Sequence, residues 1–314
     1  MKTFNHSFLA LLASSLLCVV SQAAPEVAAK PTQKQFDTPE LAVASLVEAA
    51  ASFQVSSLKE ILGPDSEDIV SSEDPVMDKE RAVAFAAKAK EKQVIEIDSK
   101  NPNLAILSVG EDLFPLPVPI VKKDGKWSFN TKAGRQEILN RRIGTNELDA
   151  ITICRGFVEA QHEYAADKHD GSIVHQYAQR IISTPGKQDG LAWKNADGTW
   201  EGPVGEEIAK ALEQGYSEKN KPQPYHGYYF KVLKGQGPAA PLGRLDFVIK
   251  GAMIGGFALA AAPAEYQVTG VKTFIVSHTG IVYEKDLGED TLEAFRKMEL
   301  FDPDSSWKPT EDGW

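Results

Sequence analysis

The segment Phe114-Pro-Leu-Pro-Val-Pro-Ile-Val121 places three prolines at period two. In a strand, the N–H groups of alternate residues point to the same side. Pro115, Pro117 and Pro119 therefore erase the donors along one flank. A strand of this composition belongs at the edge of a sheet, where it repels further pairing. The other conformation open to it is a polyproline II segment packed on the surface. Leu116, Val118 and Ile120 share the face that can be buried.

The residues on either side fill out a small α+β unit. Thr38-Pro39-Glu40 starts a helix, with Thr38 as cap and Pro39 at the first helical position. Val43, Leu46, Val47 and Ala50 then follow the i, i+3, i+4, i+7 spacing of one buried face. A second helix is expected near Ser57–Leu62, stopped by Gly63-Pro64, and a third near Met77–Glu91. Ile95 and Ile97 alternate with Glu96 and Asp98, and Ala105, Leu107 and Val109 share a face after the turn Asn101-Pro102-Asn103. Asp124-Gly125 centres a tight hairpin, beyond which Trp127 and Phe129 point to one side. Helices followed by an antiparallel meander resemble the cone-shaped folds of the nuclear-transport-factor-2-like class, which often hold a ligand pocket.

A second unit follows. Glu137–Arg142 reads as helix ending at Gly144, and Thr145 as the cap of a long helix to about Ala166 with Leu148, Ile151, Cys154, Val158 and Ala165 inward. Further helical turns are expected at 174–182 and 205–214. The remainder is β-rich, with a hairpin across Thr279-Gly280 and a last helix near Thr291–Glu299. One long helix followed by an antiparallel meander must bury its apolar stripe on that sheet.

Residues 1–23 carry Lys2 and an uncharged 13-residue run from Phe8 to Val20, closed by the small residues around Ser21-Gln22-Ala23. This is the pattern of a cleaved export signal, too short to span a bilayer comfortably. No later stretch is long and apolar enough to span one; Ala252–Ala264 is interrupted by Gly255, Gly256 and Pro263. The expected organisation is signal peptide 1–23, linker 24–36, an N-terminal domain 37–131 and a C-terminal domain 132–314. Cleavage removes one Lys and no acid, taking the formal charge from −10 to −11. That balance argues against a non-specific nucleic-acid binder, since phosphate contacts need clustered Lys and Arg. Of the two cysteines only Cys154 survives cleavage, so no intramolecular disulfide is possible. It reads as a small buried hydrophobe.

Arg141-Arg-Ile-Gly-Thr-Asn-Glu-Leu-Asp-Ala-Ile151, Ala160-Gln161, Tyr164, Gly255-Gly-Phe-Ala-Leu-Ala260, Thr273-Phe-Ile275 and Tyr283-Glu-Lys-Asp-Leu-Gly288 together resemble a family of exported bacterial proteins. It is the domain-of-unknown-function family catalogued as twenty-nine fifty. The resemblance covers nearly all of 36–308; it implies location and architecture, and no activity. A second resemblance concerns Asn146–Gly288. Tyr177-Ala178, Gly227–Phe230, Ala261–Pro263, Thr269-Gly270 and Thr279–Val282 are similar in order to the globular part of pilin-like proteins. The polymer-forming apolar N-terminal helix of pilins is missing: here the corresponding helix follows Asn140-Arg-Arg and sits mid-chain.

Candidate chemistry is sparse. Glu159 and His162 stand i, i+3 on the long helix, a spacing used by carboxylate–histidine metal sites, but the pair occurs once where a di-metal site needs it repeated. His169, Asp170 and Ser172 are too close in sequence to form a relay, and no Gly-x-Ser-x-Gly elbow occurs. Gly235-Gln-Gly237 imitates a dinucleotide loop, but Pro238 and Pro241 prevent the helix it needs. Asp302-Pro-Asp304 lacks the glycine and closing glutamate of a calcium loop. Arg141, Arg142, Asn146 and Glu147 form the main candidate cluster, placed between two helical stretches. The arginines can bind an anion beside the next helix N-terminus. The favoured structural reading has Arg142 and Glu147 clamping the two domains together.

The expectation is a soluble periplasmic or secreted protein that acts by binding a small ligand or an envelope partner. It has no catalytic residues, no cofactor, no metal, no nucleic-acid partner and no membrane insertion once the signal is removed. The alternative is an enzyme with a pocket in the N-terminal cone, using carboxylates such as Glu96 or Glu111. A minor alternative is a pseudopilin-like assembly factor.

Overall fold

The computed structural model describes residues 33–71, 75–205 and 224–311. The export signal expected at 1–23 lies outside them, as does most of the helical turn expected at 205–214. The chain divides into two compact units, one ending at Thr131 and the other starting at Lys132. No helix among the described residues is long and apolar enough to cross a membrane.

The first unit opens with four helices: α1 (Pro39–Ala51), α2 (Val55–Leu62), α3 (Glu67–Val70) and α4 (Pro75–Glu91). The Thr38 side chain caps α1, accepting from the Leu41 N–H at 3.3 Å. That satisfies one of the orphan donors of the first turn. The α1 stripe Val43, Leu46, Val47 and Ala50 is buried with Ala42 and Ala49. It meets a sheet of β1 (Gln93–Ile97), β2 (Leu104–Val109), β3 (Phe114–Pro115), β4 (Ile120–Lys123) and β5 (Lys126–Phe129), ordered β1-β2-β4-β5 with β3 also on β2. Ala105, Leu107, Ile120, Trp127 and Phe129 fill the space under the helices. The Asp124-Gly125 turn has φ of 52° and 81°, the double positive φ of a type I′ hairpin. The Thr131 hydroxyl donates to the Leu62 carbonyl.

The proline segment is not one edge strand. Its two ends pair with β2 at separate places, Phe114 and Pro115 opposite Val109 and Ser108, Ile120 and Val121 opposite Ala105 and Leu104. Between them Leu116 N–H donates to Leu107 O at 2.7 Å. The residues that keep a donor therefore face β2. The proline-free end, β4, is interior and takes β5 on its far side, whereas β3 has β2 alone as a partner strand.

The second unit is built on α5 (Thr131–Ala166), one continuous helix. The break expected at Gly144 does not occur. A glycine ends a helix when it takes the left-handed conformation, and Gly144 does not. In a helical conformation it merely costs about 1 kcal/mol against alanine. Downstream lie β6 (Arg180–Ile182), β7 (Gly190–Lys194), β8 (Trp200–Glu201), β9 (Tyr228–Leu233), β10 (Gly235–Gln236), β11 (Leu245–Asp246), β12 (Val248–Ile249) and β13 (Ala252–Met253). They are followed by β14 (Ala258–Pro263), β15 (Lys272–Ser277), β16 (Val282–Asp286), the helix α6 (Thr291–Lys297) and β17 (Lys308–Pro309). The turn expected at 174–182 is extended instead, with Tyr177 bridged to Met253 and Arg180–Ile182 running parallel to β7.

The main sheet is antiparallel, in the order β17-β16-β15-β14-β9. All six residues of β14 are buried, as expected of a strand covered on both faces. Ala150, Ile151, Cys154, Phe157, Val158 and Tyr164 of α5 join Phe230, Leu259 and Phe274 of the sheet in one core. Leu148, expected inward, is 59% exposed; Ala150 takes that place.

Candidate functional site

Arg155, Val158, Glu159 and His162 occupy positions i, i+3, i+4 and i+7 of α5, hence one face. That face forms one wall of a cavity of about 700 Å³. The opposite wall is the β15–β16 turn, from His278 to Val282, and Pro309 and Thr310 at β17 close the end. Gly280, at φ 78°, donates to Ser277 O at 2.9 Å and sets the turn. Thr310 N–H donates to Val282 O at 2.9 Å, which fixes the C-terminal strand against it. Val158, Ile281, Val282 and Pro309 make the lining largely apolar, with a few convergent polar groups. That composition and size are those of a small-molecule site.

The histidines sit against aromatic rings. The His278 ring lies edge-on to Phe247 at 6.0 Å and to Phe257 at 6.3 Å. The His162 ring lies 5.6 Å from Phe257 and 6.2 Å from Tyr177. A Cβ on Gly256 would come within 2.9 Å of His278 Nδ1 and 3.0 Å of the Phe247 ring, so the glycine lets His278 sit where it does. Its Nδ1 is buried and has no hydrogen-bond partner within the protein. Burial, and then the neighbouring His162, push the His278 pKa below its ordinary 6.5, so the ring is neutral at neutral pH.

Of the sequence candidates, Glu159 and His162 line this cavity. Among the described residues no three His, Cys, Asp or Glu side chains group closely enough to hold a metal ion. The other four stand within α5, with no helix N-terminus beside them. Arg141 pairs with Glu137 one turn back at 2.8 Å. Arg142 is exposed. The expected Arg142–Glu147 clamp is absent: Glu147 Oε1 instead accepts the backbone N–H groups of Val271 and Lys272 at 2.9 and 3.0 Å. Asn146 donates to Thr269 O at 2.8 Å. These two residues tie α5 to the loop entering β15, within the second unit.

The rejected motifs have structural roles. His169 stacks on the Tyr164 ring at 3.9 Å, and Asp170 accepts the Gln188 N–H. The Gly-rich loop and the Asp302 segment are each other's partners. Gly237 donates to Phe301 O at 2.9 Å, and Asp302 accepts the Ala239 N–H at 2.7 Å. A Cβ on Gly237 would overlap the Asp302 carboxylate. Cys154 is fully buried, and desolvation drives its thiol pKa from 9.0 up to about 12, which leaves it inert.

His278 and Arg155 escaped the sequence reading. Their signal was faint: a lone histidine in the turn Ser277-His-Thr-Gly280, and an arginine one turn before a Glu-x-x-His pair. No curated protein and no solved structure matches the chain, so the pilin-like resemblance gains no support. A family model described as "Protein of unknown function (DUF2950)" matches residues 33–310, and the chain belongs to that family.

Proposed function

We propose that this is an exported, soluble, non-catalytic binding protein whose second unit holds a small ligand with an apolar body between α5 and the β15–β16 turn. The observation that carries the reading is the cavity of about 700 Å³, lined by Val158, Ile281, Val282 and Pro309 with a few polar side chains among them. Periplasmic or secreted placement rests on the basic start, apolar run and small-residue end of residues 1–23. The enzymatic alternative has less support. Glu96 and Glu111, its proposed carboxylates, are exposed, and Glu111 pairs with Lys92 at 3.4 Å. The pseudopilin alternative gains nothing from the family assignment.

The test is titration of the purified protein with N-phenyl-1-naphthylamine, an uncharged dye that fluoresces in apolar surroundings. We expect saturable binding at one site, weakened about tenfold or more in Ile281→Trp, whose indole fills the cavity mouth. Ile281 is 46% exposed, so the variant is expected to fold. A dye signal that never saturates, or that ignores the Trp variant, would refute the reading.

A further inference from the structure

Strand β1, in the first unit, is an open sheet edge. Among the described residues its only partner strand is β2, and the pairing runs without a bulge from Gln93 opposite Val109 to Ile97 opposite Ala105. Lys92 O accepts the Gly110 N–H at 2.9 Å, and Asp98 N–H donates to Leu104 O at 2.9 Å. In an antiparallel pair such bonded positions recur at every second residue. The even-numbered residues therefore bond to β2, while Gln93, Ile95 and Ile97 turn their N–H and C=O groups away from it. The far edge of the sheet differs, because β5 exchanges bonds with Phe36. Phe36 N–H donates to Trp127 O at 2.9 Å, and Trp127 N–H to Phe36 O at 2.8 Å. Ile95 and Ile97 stand opposite the fully buried Leu107 and Ala105, hence on the core face, yet Ile97 is 54% exposed. Neither a proline, a bulge nor an inward-facing charge protects this edge.

We infer that a second copy of this chain docks here, β1 pairing antiparallel with its twin across a two-fold axis at Ile95. The strand is self-complementary in that register. Ile95 faces Ile95 of the second copy and Gln93 faces Ile97, so every outward-turned backbone group finds a partner. The isoleucines of both copies then form one apolar row, which carries the buried layer across the seam. On the other face Val94 falls opposite Glu96, and Lys92 opposite Asp98. Lys92 is free to reorient, since its ion pair with Glu111 at 3.4 Å is solvent-exposed. Asp98 caps its own turn through Oδ1, which accepts the Lys100 and Asn101 N–H groups. Neighbouring registers are worse. An axis at Glu96 sets that carboxylate against its twin. An axis at Val94 sets Ile97 opposite Glu91, which belongs to α4. One best register with opposite charges at both ends favours a second copy over an unrelated strand. The pairing uses up the edge of both copies, so assembly stops at a dimer.

A seam of one short strand buries little surface, so the dimer belongs at the weak end of interfaces, with a Kd on the order of 10–100 μM. Sedimentation velocity of the purified protein from about 5 to about 500 μM should show monomer passing to dimer and nothing larger. Ile97→Lys puts a charge into the apolar row from an exposed position, which keeps the fold. That variant should stay monomeric throughout, with an unchanged urea midpoint. Register is read by disulfide trapping. Val94 and Glu96 of the second copy form a non-hydrogen-bonded pair, whose Cα atoms lie about 4.5 Å apart, within disulfide reach. Val94→Cys mixed with Glu96→Cys should therefore give the mixed disulfide under copper–phenanthroline oxidation about tenfold faster than either variant alone gives its own. The native Cys154 is buried and takes no part. Monomer at every concentration, a dimer that survives Ile97→Lys, or single variants that crosslink as fast as the mixture would overturn the pairing.

Discussion

Glu147 and Arg142 stand five residues apart on one helix and have opposite fates. The Glu147 carboxylate is engaged by two backbone donors, so its removal leaves both N–H groups of a half-buried loop unsatisfied. Glu147→Ala should cost about 2 kcal/mol in urea unfolding, whereas Arg142→Ala should stay within about 0.5 kcal/mol. Beside that loop Gly270 packs on Tyr228, whose hydroxyl donates to Lys272 O at 2.9 Å. A Cβ at 270 would overlap that hydroxyl. Gly270→Ala is therefore expected to lose about 2 kcal/mol by overpacking, again read from the urea midpoint. Cys154 supplies a third residue-scale test. Its thiol is fully buried and protonated, so a thiol reagent should label the native protein only at the rate of global opening. Rapid labelling in buffer would contradict its burial.

Among the elements, α5 is the one whose length the local signals misreport. Gly144-Thr145 looks like a stop followed by a cap, and both residues are helical. A Cβ at 144 would meet nothing within 4 Å. Gly144→Ala should accordingly stabilise the protein by about 0.5–1 kcal/mol, measured by denaturant unfolding; a loss would mean the helix needs the glycine. The elements read correctly are those whose determinants are local. The Thr38 cap, the stripe of α1, the alternation of β2 and the Asp124-Gly125 turn each lie within a few neighbouring residues. The segment 174–182 misled because its extension is imposed from afar, by Met253 and by the strand at Gly190–Lys194. The cavity was half legible for the same reason. Glu159 and His162 share a helix face that spacing reveals, while His278 comes from a turn far along the chain, and only the packing of β14 and β15 brings it opposite.

For the whole molecule, the deeply placed acidic protons set an upper pH limit. Burial raises the Cys154 thiol from 9.0 to about 12, and burial, then Asp170 and Asp189, raise Tyr164 from 10.0 to about 12. Tyr228 is raised too, by burial and then by Glu147. In each case the folded state holds its proton more tightly than the unfolded chain. The associated stability is fully present below pH 9 and drains away as pH climbs, because the unfolded chain then releases protons first. Urea midpoints should be flat up to pH 9 and fall above it, and Cys154→Ala should move the onset toward pH 10, where tyrosines begin to ionise.

The run of alternating prolines bears on how this protein behaves in bulk. A fibril grows by recruiting identical chains onto an exposed row of amide groups, and along 115–119 every second amide lacks its hydrogen. An incoming copy would find that flank chemically blank. Concentrated samples should therefore stay clear on prolonged storage. Replacing Pro115, Pro117 and Pro119 by threonine should produce thioflavin-positive deposits where the parent gives none.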